Sequence, residues 1–137
     1  MTGKVFADSN IWVYLFTAGD EMKCKTADEF ITENVEEDRL VVSYQVINEV
    51  CCVLKKLKYT ETEIMHFACG MISLCEVCGY SDKIIYIASE LREKYPLSFW
   101  DSHIVASALE SQCRTLASED MADGLIINGM SIVNVLK

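Results

Sequence analysis

Residues 4–16 have the sequence KVFADSNIWVYLF, in which a short apolar run passes directly into a second one. Residues 4–7 predict a buried strand, and residues 11–16 predict the opening of a helix that Ser9 or Asn10 is able to cap. Asp8 stands at the joint between strand and helix. The same order of elements, a short strand followed by a helix, is predicted repeatedly along the chain, which indicates an α/β fold.

Short apolar strands alternate with amphipathic segments through the rest of the sequence. Strands are predicted at residues 39–43, 76–78 and 115–117, and a terminal hairpin at 125–127 and 131–135 turns at Asn128-Gly129. Helices are predicted at residues 23–37, 44–58, 81–94 and 100–111, with another that begins at the capping box of Thr60 and Glu63. This alternation predicts one domain over residues 1–137, a central and mainly parallel β-sheet flanked by helices in an α/β/α sandwich.

Four acidic residues lie at or near joints of this kind, namely Asp8, Glu49, Asp101 and Asp120. Ligands of parallel sheets gather beyond the carboxyl ends of the strands, so these side chains are able to converge on one cleft. Carboxylates gathered there repel one another unless a cation holds them, and hard oxygen ligands suit Mg²⁺ or Mn²⁺. The pattern favours phosphate chemistry in which a metal ion activates water.

The composition restricts the class of protein. Apolar residues make up 51% of the chain and charged residues 24%, which is typical of a globular domain. The net charge of −9 argues against an ordinary nucleic-acid binder but not against a nuclease, because divalent ions reverse the local charge of an acidic site. No apolar run approaches the ~20 residues of a membrane span, and an acid at position 8 argues against a secretory signal. We therefore expect a soluble, cytoplasmic protein.

The seven cysteines follow no regular spacing, so they are expected to be reduced thiols packed as small apolar residues. Cys75 and Cys78 form a single CxxC motif, with His66 and Cys69 upstream. A structural zinc site is the alternative, although such sites usually contain two pairs of this kind.

The chain resembles PIN-domain ribonucleases, and specifically the VapC-type toxins of type II toxin–antitoxin pairs. The segments that carry the resemblance are Phe6-Ala7-Asp8-Ser9-Asn10, Asn48-Glu49, residues 97–108 (LSFWDSHIVASA), residues 113–121 (CRTLASEDM), Gly124 and Val133-Asn134. They occur in the expected order between about residues 4 and 135. The ending Asn134-Val135-Leu136 departs from the Asn-Pro-Phe common in the family, which affects packing at the edge of the sheet.

The resemblance implies a single PIN domain that hydrolyses single-stranded or loop RNA with Mg²⁺ or Mn²⁺. Asp8, Glu49, Asp101 and Asp120 match the family's acidic quartet, as catalytic residues and as metal ligands. Four further residues are expected to support them: Ser9 and Asn10 by hydrogen bonds to Asp8 or the scissile phosphate, Ser118 by bonds near Asp120, and Asp123 as an outer-shell or second-metal acid. Members are commonly homodimers, and their antitoxins place a peptide segment into the acidic groove. RNA, an antitoxin protein and a second copy are therefore the expected partners.

Three other functions stay open at this point. The chain is alternatively a housekeeping PIN nuclease of RNA processing, or a PIN-fold binding module without catalysis. A haloacid-dehalogenase-like phosphatase is disfavoured because its second acid would stand at Asn10. Each acid also has a structural interpretation, such as a helix cap at Asp8 or a first-turn acid at Asp101. Trp100 is expected to fix the Asp101 helix against the sheet.

Overall fold

The computed structural model describes residues 2–137, which form strands and helices in alternation. The strands are β1 Lys4–Ala7, β2 Leu40–Ser43, β3 Glu76–Cys78, β4 Cys113–Ala117, β5 Ile126–Ile127 and β6 Met130–Val133. The helices are α1 Ser9–Thr17, α2 Glu21–Glu36, α3 Tyr44–Lys56, α4 Glu61–Leu74, α5 Asp82–Lys94 and α6 Phe99–Glu110. Met1 lies outside the described residues.

The strands form one six-stranded sheet in the order β3-β2-β1-β4-β6-β5. Every pairing is parallel except that of β5 with β6. The predicted fold class, a mainly parallel sheet flanked by helices, is confirmed. The chain runs outward from β1 through β2 to β3, then returns to place β4 on the other side of β1. The strand order therefore reverses between β1 and β4, and their carboxyl ends border the crevice where such sheets bind ligands.

The central strands are buried, as continuous apolar runs in parallel sheets are. Val5, Phe6 and Ala7 of β1 are inaccessible to solvent, and all four residues of β2 are buried. α6 contributes an unbroken buried run at residues 102–108, which packs against β2 and β4. This central packing fixes the ends of β1, β4 and α6 relative to one another, and the predicted acids lie at or close to those ends.

Local sequence signals explain several element ends. The capping box of Thr60 and Glu63 at the start of α4 is confirmed, with Glu63 N donating to Thr60 Oγ1 over 3.1 Å and Thr60 N to Glu63 Oε1 over 2.9 Å. The hairpin of β5 and β6 turns at Asn128 and Gly129, whose φ angles of 48° and 85° fit the left-handed turn that this dipeptide favours.

Two local predictions are wrong. Ser9 and Asn10 do not cap α1 but belong to its first turn; the cap is Asp8, whose carboxylate accepts from Ser9 N, so the interpretation of Asp8 as a helix cap is confirmed. Trp100 does not fix its helix against the sheet, because its side chain is 57% exposed and the buried run of α6 begins only at Ser102.

Among the described residues, no helix combines the length and the apolarity that crossing a bilayer takes.

Candidate active site

Asp8 lies where β1 ends and α1 begins, and its side chain is only 4% exposed. Ser9 N donates to Asp8 Oδ1 over 2.7 Å, and Ser118 Oγ donates to Asp8 Oδ2 over 2.7 Å. The backbone N–H of Asp8 donates to the carbonyl of Ala117, the last residue of β4, over 3.0 Å. Both carboxylate oxygens are therefore fixed in the crevice between the two strands.

Two other carboxylates act on Asp8. The pKa of Asp8 is raised to about 6, mainly by burial and to a smaller extent by the negative charges of Glu49 and Asp101, against the lowering effect of the hydrogen bonds from Ser118 and Ser9. Glu49 lies in α3, and Asp101 lies in the first turn of α6, where the helix dipole favours an anion. Three of the four predicted acids, from three different segments, therefore share one electrostatic environment.

Gln45 links two of these segments. Its Nε2 donates to Glu49 Oε2 over 3.1 Å and to the carbonyl of Trp100 over 3.2 Å, while its Oε1 accepts from Tyr80 Oη over 2.9 Å. The start of α6 is itself capped by Ser98, whose Oγ accepts from Asp101 N over 3.2 Å. Gln45 was not predicted as a site residue, although its place four residues before Glu49 puts it on the same helix face.

Asp120 joins the group through hydrogen bonds. Asn10 Nδ2 donates to Asp120 Oδ2 over 3.1 Å, and Asn10 Oδ1 accepts from Glu119 N over 3.2 Å. Asp120 N donates over 3.3 Å to Ser118 Oγ, the hydroxyl that also binds Asp8. Asn10 and Ser118 therefore bring the segment after β4 next to Asp8.

Asp123 lies in a different setting. Its carboxylate accepts from Asn134 N over 2.8 Å and forms an ion pair with Lys137, and these contacts lower its pKa, the Lys137 hydrogen bond most. In the described chain it has no hydrogen bond to the other predicted site residues. The structure thus brings Asp8, Ser9, Asn10, Glu49, Asp101, Ser118 and Asp120 to one edge of the sheet and places Asp123 with the C-terminal segment.

The donors at this edge suit a hard cation. The candidate ligands are carboxylate oxygens. The negative charges of Glu49 and Asp101 raise the pKa of the buried Asp8, and a divalent cation would relieve the repulsion between these carboxylates. As the side chains stand, no three His, Cys, Asp or Glu residues within residues 2–137 are grouped so that they could hold a metal ion. Within the same residues, Cys75 and Cys78 are likewise not part of such a group. Burial raises the pKa of both thiols, that of Cys75 to about 12.

A wide apolar cleft adjoins Glu49. It has a volume of about 970 Å³ and is lined by Tyr44, Gln45, Asn48, Glu49, Cys52, Tyr80, Ser81, Asp82, Ile85, Phe99, Trp100 and His103. Among the described residues, those that line the cleft include neither lysine nor arginine, and five of its large side chains are more than half exposed. No sequence pattern indicates this surface, since apolar residues at helix ends predict core positions equally well.

A model of the PIN domain family matches residues 5–122 of this chain. The expected domain, residues 1–137, extends beyond that match at both ends and stays a prediction. A comparison with curated proteins found no match.

Solved structures with a similar fold include three from toxin–antitoxin systems. The Mycobacterium tuberculosis toxin VapC20, described as cleaving the sarcin–ricin loop, has a TM-score of 0.71 and 17% identity over 85% of this chain and 90% of its own. A toxin–antitoxin complex from Klebsiella pneumoniae has a TM-score of 0.69 and 22% identity over 97% of this chain and 98% of its own. VapBC2 from Rickettsia felis, bound to promoter DNA, has a TM-score of 0.70 and 17% identity over 93% and 96%. At these identities the likeness is one of fold.

Proposed function

Because this chain belongs to the PIN domain family, we propose that it is a metal-dependent endoribonuclease and the toxin of a toxin–antitoxin pair. The observation that carries the proposal is the meeting of acids at the β1–β4 crevice. Asp8 is influenced by the charges of Glu49 and Asp101 and shares the Ser118 hydroxyl with Asp120. The fold shared with VapC20, a toxin that cleaves the sarcin–ricin loop, supports RNA as the substrate class.

The four acids would hold Mg²⁺ or Mn²⁺, with which water becomes a usable nucleophile near neutral pH and charge on the leaving oxygen is offset. Hydrogen bonds from neighbouring residues of the chain hold these carboxylates in place. Ser118 and Ser9 fix the two oxygens of Asp8, and Asn10 fixes Asp120. These outer hydrogen bonds orient the carboxylates, and the two that reach Asp8 lower its pKa against the effect of burial.

Metal removal tests this function. The purified chain is expected to cut single-stranded RNA in Mg²⁺ or Mn²⁺, to lose this activity in EDTA and to recover it when either ion is restored in excess. Products are resolved by gel electrophoresis, and an Asp8→Asn preparation made in parallel controls for contaminating nuclease. Cleavage that persists in EDTA, or no cleavage in either ion, would refute the proposal.

We propose an antitoxin protein as the inhibitor of this site. The acidic site and the net charge of −9 suit a basic protein segment. The similar structures from Klebsiella pneumoniae and Rickettsia felis are themselves toxin–antitoxin complexes. A small antitoxin encoded in a reading frame next to that of this chain is the partner to look for, and it is expected to bind the chain and stop RNA cleavage. A neighbour that binds but leaves the rate unchanged would contradict this role.

We also propose that two copies of the chain pair through the apolar cleft. Ile85, Phe99 and Trp100 expose more than half of their side chains there, and contiguous apolar surface of this kind marks interaction sites. Trp100→Asp is expected to convert a dimer to a monomer, because pairing would bury the new charge without a partner. Sedimentation equilibrium measures the change. Met22→Asp, at an 81% exposed position of α2, is the matched control and should remain dimeric. A Trp100→Asp dimer would refute this interface.

A further inference from the structure

The carboxylate of Glu119 is held at both oxygens by residues from two helices. Tyr14 Oη of α1 donates to Glu119 Oε1 over 2.8 Å, and Lys23 Nζ of α2 donates to Glu119 Oε2 over 2.5 Å. Lys23 Nζ also lies 3.3 Å from Tyr14 Oη, which closes the triangle. The side chains of Lys23 and Glu119 are 33% and 21% exposed, so this ion pair is more sheltered than an ordinary surface pair.

Glu119 directly precedes Asp120, and the segment that contains both is irregular. Asp8 caps a helix, and Glu49 and Asp101 are helical, whereas residues 118–121 belong to no strand or helix. The N–H groups of Glu119 and Asp120 donate to side chains, Asn10 Oδ1 and Ser118 Oγ. The position of Asp120 therefore depends on side-chain anchors that a regular element would not need.

The ion pair also has an electrostatic consequence. Glu119 is a further carboxylate in the residue directly before Asp120, and without a partner its negative charge would stand beside that acid uncompensated. Lys23 offsets its charge, and with Tyr14 it keeps both oxygens engaged on the α1–α2 side. The ion pair of Lys23 with Glu119 thus anchors the segment after β4 and offsets the negative charge of Glu119.

We propose that Lys23 and Glu119 are positioning residues, which hold the segment after β4 so that Asp120 points toward Asp8. Neither residue touches the substrate in this proposal; both act through Asp120. The predicted effect on kcat rests on the proposed ribonuclease function. The predicted effect on the mobility of the segment rests on the structure alone.

Opposite charge changes separate positioning from a simple charge effect. Lys23→Met removes a positive charge and Glu119→Met removes a negative one, so a pure charge effect on cation or RNA binding changes sign between them. Positioning predicts instead that both variants lower kcat by up to about tenfold, the lower end of the cost of losing a direct hydrogen-bond partner of a ligand, because Lys23 and Glu119 act on Asp120 only through the segment. The double variant should be no worse than either single variant, because both remove the same contact.

The second readout does not require activity. Amide hydrogen exchange, followed by NMR, is expected to be about tenfold faster at Glu119 and Asp120 in Lys23→Met, as loss of a charged hydrogen bond allows local opening. Lys23→Arg keeps the pair and should restore both slow exchange and kcat. Lys4→Met is the matched control, since it breaks the 2.9 Å pair with Glu76 at the amino ends of the strands, and it should alter neither readout.

The outcomes separate the two proposals. Unchanged exchange at Glu119 and Asp120 in Lys23→Met, or kcat changes of opposite sign in the two single variants, would overturn the positioning role. A wild-type protein that cuts no RNA would refute the ribonuclease function, and exchange would then decide the positioning role alone.

Discussion

Asp8→Asn is expected to reduce RNA cleavage by more than about 100-fold, which is the upper range for losing only an outer partner of a metal ligand. Asp8 occupies the centre of the acid group, where it is buried and is influenced by the charges of both Glu49 and Asp101. An amide has no net negative charge with which to attract a divalent cation. The loss should appear mainly in kcat, since RNA contacts distant from the acids are unaltered.

The same substitution is expected to leave the fold intact, which makes the loss interpretable. Asparagine is as good a helix cap as aspartate, and its side-chain oxygen can still accept from Ser9 N or from Ser118 Oγ. Circular dichroism and thermal unfolding would check this. Asp28→Asn, at an exposed position of α2, is the matched control and should cleave RNA at the wild-type rate. Equal rates for wild type and Asp8→Asn would remove Asp8 from the mechanism.

Much of the fold was predictable because its signals are local. The strand that ends at Asp8, the capping box of α4 and the Asn128-Gly129 turn each depend on a few neighbouring residues. The parallel sheet followed from the alternation of strands and helices. The cap of α1 was misassigned by one or two residues, because three consecutive residues, Asp8, Ser9 and Asn10, all have side chains suited to capping.

The meeting of acids was predictable from topology, whereas the contacts that hold them were not. Parallel strands bring their carboxyl ends to one edge, so the residues that follow β1 and β4 were expected at the same edge, whereas their being neighbours follows from the observed strand order. The contact of Lys23 with Glu119 joins residues 96 positions apart, and no local pattern specifies such a pair. The exposure of Trp100 is likewise a property of tertiary packing, since an aromatic residue near a helix start fits a core or an interface equally well.

The burial that suits Asp8 to its proposed task has a cost for the metal-free protein. A carboxyl group ordinarily titrates near 3.8, and that of Asp8 has a pKa of about 6 in the fold. Between pH 3.8 and about 6, the Asp8 carboxyl group is therefore protonated in the folded state and ionised in the unfolded state. Functional sites commonly contain such unfavourable charge, and removing it often stabilises the protein.

The free energy of unfolding of the metal-free protein should consequently fall as pH rises. Below pH 3.8 Asp8 is protonated in both states, and between pH 3.8 and about 6 it ionises only in the unfolded state. Above pH 6 it is ionised in both states, and the loss of unfolding free energy has reached its full size. A shift of this size corresponds to about 3 kcal/mol, roughly half of which is lost above pH 5. Relative to Asp8→Asn, the wild type should therefore be less stable at neutral pH and should approach the variant's stability on acidification.

Urea unfolding in EDTA between pH 5 and 7.5 measures this difference and stays above the isoelectric point of about 4.6. Subtracting the free energy of Asp8→Asn at each pH removes the contribution of every other titrating group that the substitution leaves unchanged. Excess Mn²⁺ should raise the stability of the wild type more than that of the variant, because only the wild type retains the buried charge that the ion offsets. A wild-type-minus-variant difference that is constant across this range would show that burial does not perturb the Asp8 carboxyl group.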